Sequence, residues 1–398
     1  MPVPNNLHIL VVAPFTHQNG HYVTFPRDLS CALAAAGNKV TLLHTRPFRV
    51  ELDEFGHSIQ HVCLFEQLES APRWWRELWP RLSSRPSNLC LVWMIWRIKP
   101  TDYDLVLWSD LQAHSNLWSL AAARLLGLYR FKSAFFKHHR PPKESGPIRL
   151  FRKLARLERL RFAGLKMFVF SKALLKEWAA HIGRDDIAMY VPWGVWPTPL
   201  TDDDRRKARS ELGMNEDARA LLVFGAQAVK RKHLDTLQEA LTGFTPKYPL
   251  LLLFVGASTA GEPHPFKNWQ PSVNNIEIRF EEGFVSEERV HMYFAAADRV
   301  WANYRNFPGA SGVLLQAMGF GRLVIASNEG EIASLCKEHD LGQIVGASKP
   351  DDLRRILNDF VEMPRDQQWE WEQSTVAAAE QYSWPKVMRQ VFDKLGYI

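Results

Sequence analysis

The chain has 398 residues, of which 46% are hydrophobic and 23% are charged, the composition of an ordinary globular protein. This length is roughly two to three times that of a typical domain, so two domains are expected. The net charge of +6 suits a phosphate-bearing ligand or an anionic membrane surface, and it requires neither.

The four cysteines are far apart and form no CxxC pair, which argues against a zinc module or a disulfide framework: Cys31, Cys63, Cys90 and Cys336. Reduced thiols fit a cytoplasmic location. The N-terminus lacks a basic region before its first apolar run, and no apolar stretch approaches the roughly 18 residues that span a bilayer. We therefore expect a cytoplasmic protein without a signal peptide, which either is soluble or lies on the inner face of the membrane. No nucleic-acid partner is expected.

The first half of the chain alternates between buried strands and helices. Leu7–Ala13 is a continuous apolar run of the kind found in parallel sheets, and a helix ending at Gly37 separates it from the next strand, KVTLLHT. The same rhythm recurs in YDLVLWSD, LWSLAAARLLG, FKSAFFKHH, GLKMFVFS, KALLKEWAAHIG and IAMYVPWGV. Repeated βαβ units predict a doubly wound parallel sheet.

A polar stretch, TPLTDDDRRKAR, then predicts an interdomain linker. The cycle restarts with the strand ALLVFGA and runs through HLDTLQEALTGF, PLLLLFVGA, SEERVHMYFAAA, DRVWANY and PDDLRRILNDFV to a terminal helix. We expect two Rossmann-like α/β domains facing a central cleft. Residues 1–198 form the first and 199–382 the second, and the final helix, 383–398, packs back on the first.

Two segments depart from this rhythm. Residues 72–100 carry five tryptophans interleaved with arginines: Trp74, Trp75, Trp79, Trp93 and Trp96. Residues 147–165 predict a basic helix with Arg149, Arg152, Lys153, Arg156, Arg159 and Arg161. Tryptophans with cations suit the headgroup layer of a membrane, and they equally suit a helix packed on its own domain with a solvated basic edge. Both interpretations stay open.

The stretch PGASGVLLQAMG places a loop of small residues before a helix. Free backbone N–H groups and the positive end of the helix dipole at such a point bind phosphate oxygens. Ser311 and Gly312 are small enough for close approach, and the Ser311 hydroxyl adds a possible donor. Val313 follows them, and Gln316 lies one turn into the helix, from where a side chain could reach a ribose hydroxyl. A plain strand–turn–helix corner is the alternative.

The stretch FGAQAVKRK places three cations after a strand that ends at Gly225: Lys230, Arg231 and Lys232. Cations at the carboxyl end of a strand can clamp a diphosphate and stabilise the charge that grows on a leaving phosphate. The alternative is a basic surface turn.

Three weaker signals lie in the first half. His138 and His139 follow a strand at its carboxyl end, where one of them could contact a sugar hydroxyl or carry a proton. Gly20 lies in a loop after the first strand that resembles a phosphate or acceptor loop. The DxD sequence Asp102-Tyr103-Asp104 precedes its strand, which is the wrong end for a ligand, so we interpret it as turn chemistry.

The order of these features resembles the group-1 (family 4-like) nucleotide-sugar glycosyltransferases, which have the GT-B fold. The resemblance covers most of the length and is strongest in the C-terminal half. FGAQAVKRKHLDTLQEAL is similar to GRLxxxKGxDxLLEAL, and ASGVLLQAMGFGRLVIASNEGEIASL resembles GFGLPVLEAMAxGxPVVASxxGGxxE. EEGFVSEERVHMYFAAADRVWANY, VPWGVW and YSWPKV also look like family segments. The family's paired glutamates fall on Pro308 and Gln316, and its arginine falls near Ala226, so three expected side chains are replaced.

The resemblance implies retaining transfer of a sugar from a nucleotide diphosphate to a glycan or lipid-linked acceptor, with no metal or cofactor. Lys232 falls on the family lysine and would stabilise the leaving diphosphate with Arg231, and His138 would face the sugar. The donor-binding set is Gly20, Gly225, Lys230, Ser311, Gly312, Val313 and Gln316. Because the glutamates are replaced, a non-catalytic sugar-nucleotide or glycan-binding relative and a same-fold epimerase or phosphorylase remain alternatives.

Overall fold

The computed structural model describes residues 4–13, 21–44, 59–63, 102–109, 132–138, 140–141, 165–183, 185–259, 261–346 and 349–398. The whole of the tryptophan- and arginine-rich segment and all of the predicted basic helix except Leu165 therefore lie outside the described residues, as do Gly20 and His139.

The chain divides into two compact units, one of Met1–Pro192 with Trp384–Ile398 and one of Trp193–Ser383. The expected boundary lay six residues later, after residue 198. Residues 193–200 belong to the second unit because their backbone is tied to it. Val195 N–H donates to Tyr382 O at 3.0 Å, and Thr198 N–H donates to Gly319 O at 2.8 Å.

The first unit contains a parallel sheet in the order β3-β2-β1-β4-β5-β6-β7. Its strands are β1 (His8–Ala13), β2 (Lys39–His44), β3 (Ile59–Cys63), β4 (Leu105–Trp108), β5 (Ser133–Lys137), β6 (Lys166–Val169) and β7 (Ala188–Tyr190). The central strands β4 and β5 are buried along their whole length, as their continuous apolar sequences predict.

Three described helices belong to the first unit: α1 (His21–Ala35), α2 (Lys172–Ile182) and the terminal helix, which is numbered α10 in chain order (Trp384–Lys394). The α1 and α10 helices pack together, with the rings of Phe25 and Trp384 5.7 Å apart. Past the end of α10, the Tyr397 hydroxyl donates to Asp104 O at 3.0 Å. The last helix thus packs on the first unit although the second precedes it in the chain.

The second unit contains a parallel sheet in the order β10-β9-β8-β11-β12-β13. Its strands are β8 (Arg219–Phe224), β9 (Leu250–Val255), β10 (Ile276–Glu281), β11 (Arg299–Ala302), β12 (Val324–Ser327) and β13 (Gly342–Val345). Its helices are α3 (Asp202–Glu211), α4 (Leu234–Leu241), α5 (Glu287–Ala296), α6 (Gly312–Gly319), α7 (Gly330–His339), α8 (Pro350–Glu362) and α9 (Arg365–Gln381).

Helices cover both faces of this second sheet. The apolar residues of α4 and α8 pack on one face, and those of α3, α5, α6, α7 and α9 contribute to the core on the other. Each unit is therefore a doubly wound Rossmann-like domain, as the strand and helix pattern predicts.

The interpretation of TPLTDDDRRKAR as an interdomain linker is wrong for most of its length, because Asp202–Glu211 forms α3. Thr201 caps this helix: its hydroxyl accepts from Asp204 N–H at 3.2 Å, and the Asp204 carboxylate accepts from Thr201 N–H at 2.8 Å. Three aspartates in the first turn also suit the positive end of the helix dipole. The capping pair, Thr201-x-x-Asp204, was a signal readable in the sequence.

A buried ionic cluster joins α3, β11 and α9 at the amino end of the second sheet. The Asp298 carboxylate accepts from Arg209 Nη2 and from Ala220 N–H, each at 2.7 Å, and from Arg365. Burial alone would raise the pKa of Asp298, but the guanidinium groups of Arg209 and Arg365 hold it well below its usual range. The cluster lies at the end of the sheet opposite the carboxyl ends of the strands.

Candidate functional site

The strand order of the second unit reverses between β8 and β11. Ligands of doubly wound sheets bind in the crevice at such a point, beyond the carboxyl ends of the strands. Residues 225–233 follow β8 there, and residues 303–311 follow β11 and lead into α6. The two stretches singled out in the sequence thus come together, although they lie about eighty residues apart in the chain.

Gly225 lies at the centre of this crevice, with φ of 81° directly after β8. A Cβ at Gly225 would lie 3.9 Å from Val313 Cγ2 and 4.0 Å from Lys232 Nζ. Gly256, which follows β9, approaches from the other side, since a Cβ there would lie only 2.3 Å from Gly225 O. Gly225, Lys232 and Val313 are therefore neighbours around one small space.

Lys232 is the buried cation of the site, with 1% of its surface exposed. Its ammonium donates to the carbonyl oxygen of Phe224 and forms no ion pair with a carboxylate of the described residues. Burial, and secondarily the charge of Arg231, lowers the pKa of Lys232 to about 7. A buried cation without a counter-ion is costly, so this position favours an anionic ligand.

The other two cations of this loop are exposed. The backbone of the loop is held by residues in and just after β11. Arg305 N–H donates to Arg231 O at 2.8 Å, and Trp301 Nε1 donates to Lys232 O at 2.7 Å. The main chain at Lys230 and Arg231 is therefore fixed, while both side chains are exposed to solvent.

The helix α6 begins beside Lys232. Ser311 is its cap, and the buried Ser311 hydroxyl accepts from Val313 N–H at 3.2 Å. Gly312 is exposed at the first helical position, where the helix leaves backbone N–H groups without intrahelical partners. Gln316 is exposed one turn further on, and its backbone oxygen accepts from Phe320 N–H at 3.0 Å. The helix start can receive an anion, and the Gln316 side chain is accessible.

The surroundings of the loop are completed by three residues that no sequence motif predicts: Tyr304, Arg305 and His233. Tyr304 is buried between the cations and the cap of α6. His233 has φ of 52°, and its Nδ1 lies 3.2 Å from Arg305 Nη2. A tyrosine and an arginine just after a strand carry no motif signal, so only the folded arrangement assigns them to the site.

Pro308 stands in the loop that leads to α6, and its backbone is held against the start of α7. Glu331 N–H donates to Pro308 O at 3.2 Å, and a Cβ at Gly330 would lie 2.4 Å from Phe307 O. The Glu329 carboxylate accepts from Asn306 N–H at 2.9 Å. The loop is thus fixed by backbone contacts, and an exposed carboxylate lies on it.

His138 belongs to the first unit and follows β5. Its Nε2 lies 3.1 Å from Ser109 O, which can only accept, so Nε2 carries the proton in this contact. The rings of Phe25 and Phe170 lie 5.0 and 4.9 Å from the imidazole. The carboxyl ends of β4 and β5 and the aromatic contacts therefore fix the orientation of His138.

The Asp102-Tyr103-Asp104 sequence lies before β4, at the amino end of its sheet. The Asp104 carboxylate accepts from His8 N–H at 2.8 Å, which agrees with the structural interpretation of this sequence. Across the described part of the chain, no three His, Cys, Asp or Glu residues are grouped so as to hold a metal ion. Transfer without a metal stays a prediction.

The second unit thus offers a fixed glycine turn, a buried ammonium, two exposed cations and an open helix start around one crevice. These groups suit a ligand with two linked phosphates, because a helix start and cations at one place can each neutralise one negative group. The fold and the site therefore define a protein of two Rossmann-like units, the second of which brings together groups that suit a phosphorylated ligand.

A comparison with protein families identifies the family to which most of the second unit is similar. Residues 204–376 match the family "Glycosyl transferases group 1", and they lie entirely within the second unit. The second unit therefore carries a group 1 glycosyl transferase domain, and the chain shares the two-domain GT-B fold of the solved structures below. A comparison with curated proteins found no match.

Solved structures share the fold along the whole chain. A glycosyltransferase from Rickettsia africae ESF-5 has a TM-score of 0.70 and 14% identity, covering 98% of both chains. HepE from Anabaena, solved with UDP and glucose, has a TM-score of 0.69 and 16% identity, covering 99% of this chain and 100% of its own. WaaG, a glycosyltransferase involved in lipopolysaccharide biosynthesis, has a TM-score of 0.62 and 16% identity, covering 97% and 99%.

Proposed function

We propose that this glycosyltransferase takes its sugar from a nucleoside diphosphate donor, whose diphosphate binds between the loop 225–233 and the start of α6. The observation that carries this proposal is the buried ammonium of Lys232 beside Gly225, with no carboxylate partner among the described residues. A bound diphosphate would supply the missing negative charge. It would also place its leaving oxygen next to a cation, which lowers the barrier to cleavage of the sugar–phosphate bond.

Each residue of the proposed site has a distinct task. Lys232 and Arg231 stabilise the diphosphate as it leaves, and Gly312 and Val313 present the helix start to it. Lys230 adds an exposed cation, and Ser311 holds the helix start by capping it. Gln316 binds a ribose hydroxyl. His138, in the first unit, contacts the sugar or accepts and donates a proton.

The proposal also covers the stereochemistry, the acceptor and the absence of a metal. Resemblance to the retaining group-1 enzymes supports transfer with retention and without a metal. HepE has been solved with UDP-glucose, and WaaG takes part in lipopolysaccharide biosynthesis, which supports a nucleotide sugar as donor and a glycan or lipid-linked acceptor. We infer a role in polysaccharide, lipopolysaccharide or glycolipid assembly.

Incubating the protein with UDP-, GDP- and ADP-sugars tests the proposal. We expect one donor to bind and to release its nucleoside diphosphate, with faster release when a glycan or lipid-linked acceptor is added. Tight binding without release, with acceptors present, would instead identify a binding-only relative. Isomerisation of the sugar without an acceptor would identify an epimerase. The configuration of the product at its anomeric carbon, read by NMR, tests retention.

We also propose that the protein contacts an anionic membrane surface through the tryptophan- and arginine-rich segment 72–100. This segment lies outside the described residues, so the proposal depends on its sequence. Its mixture of tryptophans and cations suits the headgroup layer of a membrane. Within the described residues, no helix has the length and apolarity to span a bilayer. Cosedimentation with anionic vesicles at low salt, where electrostatic attraction is greatest, is the test, and absence of binding there contradicts the proposal.

A further inference from the structure

Tyr304 lies two residues after β11, at the point where the strand order of the second unit reverses. Only 4% of its surface is exposed, although it stands beside the crevice. Burial raises the pKa of Tyr304, so the phenol keeps its proton. A neutral phenol with one polar end and one aromatic face can therefore contact two different kinds of group at once.

The aromatic face of Tyr304 contacts the cationic loop. The centroid of its ring lies 5.9 Å from Arg231 Cζ and 6.0 Å from Lys232 Nζ. Cations at this distance from an aromatic face are attracted to it, and the attraction is stronger where water is excluded, as it is around Lys232. The ring thus supports the ammonium without neutralising it.

The polar end of Tyr304 lies within the influence of the cap of α6, since the Ser311 side chain lowers the pKa of Tyr304 against the larger effect of burial. The Ser311 oxygen already accepts from Val313 N–H, so the hydroxyl proton of Ser311 is left to donate to the phenol oxygen. The ring of Phe307 lies 5.3 Å away and packs against the ring of Tyr304. Tyr304 is therefore held from both sides in one orientation.

We propose that Tyr304 is a positioning residue that sets the spacing between the cations of the loop 230–232 and the start of α6, and so determines how tightly a diphosphate binds between them. This inference rests on the proposed function, since it concerns the same crevice. Tyr304 lies against both the loop 230–232 and the cap of α6, whereas other groups contact the phosphates. Its effect should therefore grow with the number of phosphates on the ligand.

Two variants separate the two contacts. Tyr304→Phe removes the hydroxyl, and with it the interaction with Ser311, and keeps the aromatic face, whereas Tyr304→Leu removes both the hydroxyl and the aromatic face. Tyr248 supplies the matched control, because it also contacts two cations, Arg219 at 5.8 Å and Lys247 at 5.6 Å, but lies at the opposite end of the sheet. Tyr248→Leu should leave ligand affinity unchanged.

The experiment measures Kd by calorimetry for UDP, GDP and ADP and for the matching nucleoside monophosphates. For the diphosphate that binds wild type best, we expect Kd to rise about fivefold in Tyr304→Phe and about thirtyfold in Tyr304→Leu. For the monophosphate we expect a change of about threefold or less in either variant, and a merely structural role would not produce this difference.

The outcomes are distinguishable. Equal Kd values for the diphosphate in wild type and Tyr304→Leu overturn the inference and leave the proposed function standing. Equal loss for monophosphate and diphosphate also overturns it, because it indicates a general disturbance of the fold. If wild type binds none of the three diphosphates, the inference and the proposed function both fail. If Tyr304→Leu does not fold, the Kd values of Tyr304→Phe for diphosphate and monophosphate decide the question. The melting temperature of Tyr304→Phe checks that this variant is folded.

Discussion

The ammonium of Lys232 donates a hydrogen bond to the carbonyl oxygen of Phe224, the last residue of β8. This contact turns the side chain back over Gly225 and places a charge at the carboxyl end of the strand, inside the crevice. The neighbouring Lys230 and Arg231 remain exposed. One of three adjacent cations is thus buried in the crevice, whereas the other two are exposed to solvent.

Replacing Lys232 by alanine should remove most of the turnover. The variant loses the buried positive charge that stabilises the leaving diphosphate, which costs on the order of 2–4 kcal/mol of barrier. Initial rates with the donor identified in the panel measure the effect. Lys247→Ala is the control, since Lys247 is exposed before β9 at the other end of the sheet. Near-normal turnover in Lys232→Ala would show that Lys232 does not act on the diphosphate.

Affinity for a nucleoside diphosphate should fall as the pH rises above 7. Burial lowers the pKa of Lys232 to about 7 in the free protein, and a bound diphosphate favours the charged form and raises this pKa. Above pH 7 the lysine must therefore take up a proton on binding, which weakens binding by up to about tenfold for each pH unit.

Calorimetry between about pH 7 and about pH 9 in buffers of different ionisation enthalpy reports this proton uptake directly. Lys232→Met should bind more weakly and with little change over the same range. A slope that persists unchanged in Lys232→Met would assign the proton to another group.

Gln316→Ala should weaken nucleotide binding by about fivefold without changing stability. The side chain is exposed, and exposed substitutions usually alter stability by less than about 0.5 kcal/mol. Inorganic pyrophosphate lacks a ribose, so its affinity should stay the same in wild type and variant. If pyrophosphate binding weakens equally, Gln316 contacts the phosphates or shapes the helix start, and the assignment to ribose is wrong.

Gly256→Ala should damage the crevice, although Gly256 is outside both motifs. A Cβ there would meet Gly225 O at 2.3 Å, and φ of 133° is itself unfavourable for alanine. We expect a loss of at least about 2 kcal/mol in the free energy of unfolding, together with loss of diphosphate binding. Gly243 also has positive φ, 72°, but has open space around its Cβ, so Gly243→Ala should cost about 1 kcal/mol and leave binding intact.

Asp298→Asn should destabilise the second unit and leave the affinity of the folded protein for diphosphate unchanged. The substitution leaves the buried guanidinium of Arg209 without its counter-charge, at a cost of about 3–5 kcal/mol. Urea denaturation gives the free energy, and calorimetry below the transition gives the affinity.

The pH dependence of the wild type follows from the same group. Because the pKa of Asp298 is depressed on folding, its stabilising contribution is complete above about pH 4 and is lost as the pH falls toward the depressed pKa. Asp298→Asn should lack this acid-dependent loss.

Much of the fold was predictable because buried strands and helices have local signatures. The apolar runs of β1, β8 and β9 predicted strands buried on both faces, and all three lie at interior positions of their sheets. The helix α3 was missed because its charged sequence outweighed its capping pair. Its Arg209 is buried only because Asp298, eighty-nine residues later, supplies the counter-charge.

The candidate site was predictable only in part. Small residues before α6 and cations after β8 carry chemical signals in themselves, and both stretches do lie at the crevice. The resemblance to the family motif singled out Lys232, but no local pattern shows that Lys232 is buried while Lys230 and Arg231 are exposed, because burial is decided by the strands around the side chain. Tyr304 carries no signal either, since its importance comes from contacts with two distant segments.

The sequence by itself determined the class of fold, the two-unit organisation and the residue types available for a phosphorylated ligand, because these depend on periodicity and on the chemistry of short segments. Only the tertiary structure decided which lysine is buried, which tyrosine joins the two halves of the crevice and to which unit residues 193–200 belong. The physical reason is that strand order brings β8 and β11 side by side, and segments far apart in the chain then determine each other's burial, charge and contacts.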